Sequence, residues 1–252
     1  MHAITPFEAA ALFLVALVAG GVNAIAGGGT LLSFPTLLYF GVPSVIANAT
    51  NALVMFLGTA GSIYGFRGQL RAIVPWLKWL LPIGVAGGWL GGVLLTRSSE
   101  RLFANLVPLL ILFATLMFTL QRRLRAPAGA HAAGWIIGVL QFLIAVYGGY
   151  FGAGIGILML AAFGMLGLRD LHQANALKNV LSSAINCIAG LWFVLGGLID
   201  WPRAGIMTAG TVLGYFLGAH WSQRVPQRWV RTAIVIAGFT ATAVLAWRQY
   251  LA

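Results

Sequence analysis

Ala26-Gly27-Gly28-Gly29-Thr30-Leu31 is echoed 127 positions later by Ala153-Gly154-Ile155-Gly156-Ile157-Leu158. The same shift carries Ala47-Asn48-Ala49 onto Ala174-Asn175-Ala176 and Pro75 onto Pro202. It also carries Gly87, Leu90 and Gly91 onto Gly214, Leu217 and Gly218, and Arg97 and Arg101 onto Arg224 and Arg228. Alanine and leucine matches carry little weight in a chain this biased, but the asparagine, proline and paired arginine matches do not follow from bias. The chain therefore reads as a duplication, with one transmembrane repeat in 1–120 and a second in 134–252. The linker 121–133 between them opens with the basic, Pro- and Gly-bearing run Gln121-Arg122-Arg123-Leu124-Arg125-Ala126-Pro127-Ala128-Gly129.

Composition says what kind of solvent this duplication lives in. Of 252 residues, 60% are hydrophobic and only 8% charged, where a soluble domain carries about a quarter charged. Soluble enzyme, disordered, collagen-like and disulfide-rich classes are all excluded. At about 25 residues per spanning helix plus turn, the length accommodates roughly ten spans and no further domain. The fold class expected is an all-α integral membrane protein. The 15 Lys and Arg against 4 Asp and Glu would suggest nucleic acid in a soluble chain. Here they sit in short loops and set orientation, and no nucleic-acid partner is expected.

Each repeat divides into five segments, at about 7–26, 30–41, 44–66, 72–95 and 102–120, then 134–152, 156–168, 171–198, 203–222 and 229–248. The stretch 9–26 is read as the first span rather than as a cleaved leader, because Glu8 precedes it and no Lys or Arg does. The second segment of each repeat is short: about 12 residues rise about 18 Å, against an apolar core of about 30 Å. Five crossings per repeat place Arg67, Arg71, Lys78, Arg122, Arg123, Arg125, Arg169, Arg224, Arg228 and Arg231 on one side. Arg97, Arg101, Arg203 and Arg248 fall on the other. The positive-inside rule then makes the linker cytoplasmic and both termini periplasmic. An odd number of crossings inverts the second repeat relative to the first, an arrangement typical of secondary transporters. The acids Glu8, Glu100, Asp170 and Asp200 all lie near segment ends. A cation pathway normally needs carboxylates within the membrane, so an anion is the cargo expected.

Three features can carry chemistry. The first is the pair of glycine breaks, Gly27-Gly28-Gly29-Thr30 and Gly152-Ala153-Gly154-Ile155-Gly156, each ahead of a short segment. A short helix starting in mid-membrane turns its positive dipole end and first N–H groups toward an anion, and interrupted segments at matching positions mark transporter sites. Close helix packing is the other reading of these glycines. The second is a polar stripe: Asn175, Asn179, Ser182 and Asn186 share one helical face, and the first repeat offers Asn48, Thr50, Asn51, Thr59 and Ser62. Asn23 precedes the first break and belongs with them. Interhelical hydrogen bonding would equally account for the stripe. The third is Lys178, a cation about two turns into an apolar run, with Asp170 as the nearest carboxylate in sequence; snorkelling to the surface is the alternative. Cys187 and the four histidines show no metal-ligand spacing, no phosphate-binding loop or nucleophile–base motif is present, and no cofactor is expected.

The stretches that carry these features resemble a known family. Gly21-Val22-Asn23-Ala24-Ile25-Ala26-Gly27-Gly28-Gly29-Thr30-Leu31-Leu32-Ser33-Phe34-Pro35, with Gly41-Val42-Pro43 and Ala47-Asn48-Ala49-Thr50-Asn51, is similar to the TauE/SafE family of sulfite exporters. Gly148-Gly149-Tyr150-Phe151-Gly152-Ala153-Gly154-Ile155-Gly156 and Ala174-Asn175-Ala176-Leu177-Lys178-Asn179 look like that family's second copy. One departure is Leu177, where the family pattern often has Thr. The resemblance implies a multi-pass bacterial inner-membrane permease for sulfite or an organosulfonate, often acting outward, with proton coupling and a homodimer as further expectations.

The function expected is therefore secondary transport of a small sulfur-containing anion by alternating access. The candidate substrate-binding residues are Asn23, Gly27, Gly28, Gly29, Thr30, Asn48, Thr50, Asn51, Gly154, Ile155, Gly156, Asn175, Lys178, Asn179 and Ser182. A passive anion channel and a non-transporting membrane scaffold are the alternatives. A membrane-embedded enzyme would need a recognisable acid–base or metal set.

Overall fold

The computed structural model describes residues 4–25, 28–65, 70–120, 134–165, 168, 171–221 and 227–251. The linker 121–133 lies outside them, as do Gly27, Arg67, Arg169, Asp170 and Arg224. Among the described residues there are ten helices and no strand: α1 (Pro6–Ile25), α2 (Thr30–Tyr39), α3 (Ser44–Gly65), α4 (Leu70–Arg97), α5 (Glu100–Leu120), α6 (Gly134–Tyr150), α7 (Ile155–Met165), α8 (Leu171–Leu195), α9 (Trp201–Trp221) and α10 (Gln227–Tyr250). Five described stretches are long and apolar enough to cross a membrane: Pro6–Ala24, Arg71–Arg97, Glu100–Leu120, Gln173–Leu195 and Thr232–Tyr250. Large apolar side chains such as Leu14, Val18, Leu109, Leu143, Phe216 and Ile236 point outward, as lipid-facing residues do. The two short segments form helices of 10 and 11 residues.

Glycine decides which helices meet. Gly210, Gly214 and Gly218 of α9 lie successively against Phe13, Leu17 and Gly21 of α1, so the two helices run in the same direction. Gly87 and Gly91 of α4 lie in the same way against Phe142 and Val146 of α6. A Cβ at Gly218 would stand 2.7 Å from the Gly21 Cα, and one at Gly87 would stand 2.7 Å from the Ala145 Cβ. Backbones this close need residues without side chains, the usual device where helices associate without a hydrophobic drive. The repeated glycines therefore each join the fourth helix of one half to the first helix of the other. Helix α3 packs along α9, α8 packs along α4, and α3 meets α8 at the centre.

Polar contacts gather one end of the bundle. Glu8, in the first turn of α1, accepts from Arg203 Nε at 2.7 Å, and Arg203 also donates to Asp200 at 2.6 Å, with all three side chains buried. The Asp200 N–H donates to Thr50 Oγ1 at 3.0 Å. Glu100, opening α5, accepts from the Ser44 N–H and hydroxyl and from the Val45 N–H at the start of α3. Asn48 Nδ2 donates to the Tyr150 carbonyl, closing α6, at 2.9 Å. Near the end of α10, Gln249 Nε2 donates to Asn105 Oδ1 at 2.6 Å. This end thus holds the starts of α1, α3, α5 and α9 and the finishes of α4, α6, α8 and α10. Arg97, Arg101, Arg203 and Arg248, expected to share one side, all lie here, together with the first and last described residues.

Candidate functional site

Helix α1 ends at Ile25, and α2 then runs back beside it, so that Phe40 stacks edge-on against Phe7 at 6.5 Å. The reversal places Gly28 at φ +90°, a backbone state that costs an L side chain and suits glycine. Gly29 has ordinary helical φ and is the N-cap of α2. Its N–H donates to Asn23 Oδ1 at 2.7 Å, and Asn23 Nδ2 reaches Met55 Sδ at 3.1 Å. The second break is built from other groups. Gly154 has φ +77°, and the Tyr147 hydroxyl donates to the Ala153 carbonyl at 2.7 Å.

The two breaks face one cavity of about 70 Å³, room for a few waters or one small oxyanion. It is lined by Asn23, Gly28, Thr30, Met55 and Thr59 from the first half. Gly152, Gly154, Ile155, Gly156, Ile157, Leu160, Lys178, Asn179, Ser182, Asn186 and Tyr215 line it from the second. Helices α2 and α7 both begin at this cavity and point their positive dipole ends into it. Tight turns fold several of the first N–H groups back: Leu31 and Leu32 donate to the Gly28 and Gly29 carbonyls, and Ile157 and Leu158 to that of Gly154. The helix starts therefore act on the cavity more through their field than through a full set of free donors.

Lys178 is the one charged residue among those lining the cavity. Its stem packs on Gly156, where a Cβ would stand 3.0 Å from Lys178 Cδ. Its Nζ donates to Asn175 Oδ1 at 3.3 Å. No ion pair reaches it among the described residues, where the salt bridges are those of Arg203; Asp170 lies outside the described residues. Around the cation stand neutral groups, the amides of Asn179 and Asn186 and the hydroxyls of Ser182, Thr59 and Tyr215. The Tyr215 side chain also hydrogen-bonds with Asn23. Such a lining offers positive charge and hydrogen-bond donors, which suits an acceptor-only anion.

The sequence-derived residues are divided by the fold. Asn23, Gly28, Thr30, Gly154, Ile155, Gly156, Lys178, Asn179 and Ser182 come together at the cavity. Gly29 and Asn175 stand just behind it, bonded to Asn23 and Lys178. Asn51 faces α2, where its Oδ1 accepts from Ser33 Oγ at 2.6 Å. Asn48 and Thr50 lie at the bundle end, bonded to Tyr150 and Asp200. Gly27 lies outside the described residues. Leu177 is buried in the apolar cluster with Ile73 and Leu181 and does not line the cavity. Gly152, the first residue of the second glycine break, lines the cavity as well, and Tyr215, Met55, Ile157 and Leu160 line it without having been anticipated. Tyr215 is a lone phenol in an apolar run, and at the repeat shift it falls on Gly88, so no pattern announces it.

The chain has close relatives. The family model described as sulfite exporter TauE/SafE matches residues 12–245. A protein of Haemophilus influenzae named a probable membrane transporter protein is 34% identical over 245 residues, covering 95% of each chain. The probable membrane transporter protein YfcA of Escherichia coli K12 is 29% identical over 98% of this chain and 93% of its own. A third, the probable membrane transporter protein ORF9 of a Sinorhizobium species, is 27% identical over 89% of this chain and 87% of its own. No solved structure matches the chain.

Proposed function

We propose, from the premise that the chain belongs to the sulfite exporter TauE/SafE family of membrane transporters, that it is a secondary transporter of a small sulfur-containing anion, sulfite or an organosulfonate. The cargo binds between the two glycine breaks. The observation that carries this reading is the cavity itself: two helix starts, one lysine and neutral donors, with no carboxylate among its lining residues. Lys178 supplies the charge, and the amides of Asn179 and Asn186 supply directed donors. Ser182, whose hydroxyl donates to Met159 Sδ at 3.4 Å, adds a polar wall, and Asn23 holds the start of α2 in place.

The two halves work as inverted repeats. Support comes from the helix directions, since α1 and α3 start where α6 and α8 finish, α4 finishes where α9 starts, and α5 starts where α10 finishes. In transporters built from two repeats, alternating access commonly comes from one repeat moving against the other. The glycine contacts support a different division, because α1 is locked to α9 and α4 to α6. The moving bodies are then α1–α3–α9 and α4–α6–α8, each mixed from both halves, with the α3–α8 contact between them. The buried Glu8–Arg203–Asp200 group belongs wholly to the first body. The linker side is cytoplasmic, in a bacterial inner membrane, and outward movement of the anion, proton coupling and a homodimer complete the proposal.

The test is counterflow in liposomes containing the purified chain, with sulfite, sulfate, sulfoacetate, taurine and a carboxylate offered at two pH values. Saturable exchange of a sulfur oxyanion or sulfonate supports the reading. Flux without saturation or counterflow supports a channel, and absence of both binding and movement supports a scaffold.

A further inference from the structure

A groove of about 800 Å³ opens toward the lipid between α2 and α10. Its walls are apolar, with Leu31, Leu32 and Pro35 on α2 facing Ile236, Ala237 and Val244 on α10. From Ala233 to Arg248 it follows α10 for about 22 Å at 1.5 Å per residue. It leads toward the bundle end that carries the Glu8–Arg203–Asp200 group. There α2 finishes at Tyr39, which is 69% exposed and stacks on Phe40, and α10 carries Arg248 in its last turn.

Arg248 is exposed and in no ion pair among the described residues. The described acids at this end are engaged: Glu8 and Asp200 by Arg203, and Glu100 by Ser44 and Val45. The turn that carries Arg248 is itself fixed, because Gln249 and Tyr250 both bond to Asn105 of α5. The turn that bears the Arg248 guanidinium is thus anchored at the mouth of a long apolar groove, at a level marked by aromatic side chains of the kind that sit at headgroup depth. That combination complements an amphiphile with one anionic head and a long chain.

We propose that the α2–α10 groove binds one anionic phospholipid, its acyl chain along α2 and its phosphate on Arg248. The site is independent of the transport cavity and of which anion is carried. The test is native mass spectrometry of the full chain in detergent, titrated with phosphatidylglycerol and phosphatidylethanolamine of identical chains. The first lipid bound is expected to favour phosphatidylglycerol about fivefold, the factor that one basic residue near anionic lipid supplies. Arg248→Gln is expected to abolish that preference while leaving binding of either lipid. Ala237→Trp, which fills the groove, is expected to remove the first bound lipid of both kinds. Arg101→Gln, at the same end but away from the groove, is expected to keep the preference. Persistence of the preference in Arg248→Gln overturns the proposal, and so does retention of the first lipid by a folded Ala237→Trp. A two-chain species that Ala237→Trp dissociates also overturns it, by making the groove a subunit interface. Should Ala237→Trp fail to fold, Arg248→Gln alone decides.

Discussion

Two glycines five residues apart on α4 are expected to respond to alanine with opposite signs. Gly87 faces α6: an added Cβ would stand 2.7 Å from the Ala145 Cβ and 2.8 Å from the Phe142 carbonyl oxygen. Carbon atoms in good contact sit about 3.5–4.0 Å apart, so the α4–α6 pair would have to open by about 1 Å. The atoms in the way are a short side chain and a helix backbone, which cannot swing aside. Overpacking of this kind costs about 1–3 kcal/mol. Gly92 faces α8, where the nearest atoms would be 3.4, 3.6 and 3.7 Å away, an ordinary contact. There the loss of glycine's freedom in the unfolded chain is worth about 0.4–1 kcal/mol in favour of alanine. Thermal melting in one detergent is the assay. At roughly 2–4 °C per kcal/mol for a chain of this size, Gly87→Ala is expected to melt about 2–12 °C below the parent, and Gly92→Ala at or slightly above it. A Gly87→Ala variant that melts with the parent while Gly92→Ala falls would refute the packing of α4 between α6 and α8.

Three further substitutions follow from the polar end of the bundle. Arg203→Met leaves Glu8 and Asp200 buried beside each other without a countercharge, so a loss of about 3–5 kcal/mol is expected, read as a large fall in melting temperature. Glu8→Gln keeps the Arg203–Asp200 pair and should cost less; equal losses would show that Glu8 dominates the group. Glu100→Gln removes a charged acceptor from the Ser44 and Val45 N–H groups that open α3. Hydrogen bonds to charged groups are worth about 1.5–3 kcal/mol each. Faster hydrogen exchange in the first turn of α3 is therefore expected, and unchanged exchange there would remove Glu100 as its cap.

How much of this was legible in the sequence depends on whether the signal was repeated. The glycine breaks, the short α2 and α7 and the pairing of α4 with α9 positions were readable because Gly27–Thr30 and Gly154–Gly156, and Gly87 and Gly91 with Gly214 and Gly218, recur at one shift. What each repeated glycine touches was not readable, because contact between α1 and α9 joins residues nearly 200 apart and leaves no local period. The polar stripe shows the same division. Asn179, Ser182 and Asn186 share a face and line the cavity together, whereas Asn48, Thr50 and Asn51 serve α6, α9 and α2 in turn. Equivalent positions in a duplication need not keep one job, since Lys178 falls on Asn51 at the repeat shift, and only the lysine lines the cavity. Tyr215 and Met55 were silent because a single phenol or thioether in an apolar helix looks like packing until its neighbours are known.

The central claim is that the cavity between the glycine breaks binds the transported anion through Lys178. The most direct measurement is counterflow of radiolabelled sulfite by Lys178→Met beside the unaltered chain, in liposomes matched for protein content and with folding verified by melting. Removing the one charge among the lining residues should abolish exchange while the protein stays folded. Exchange at the unaltered rate and affinity by Lys178→Met would contradict the account.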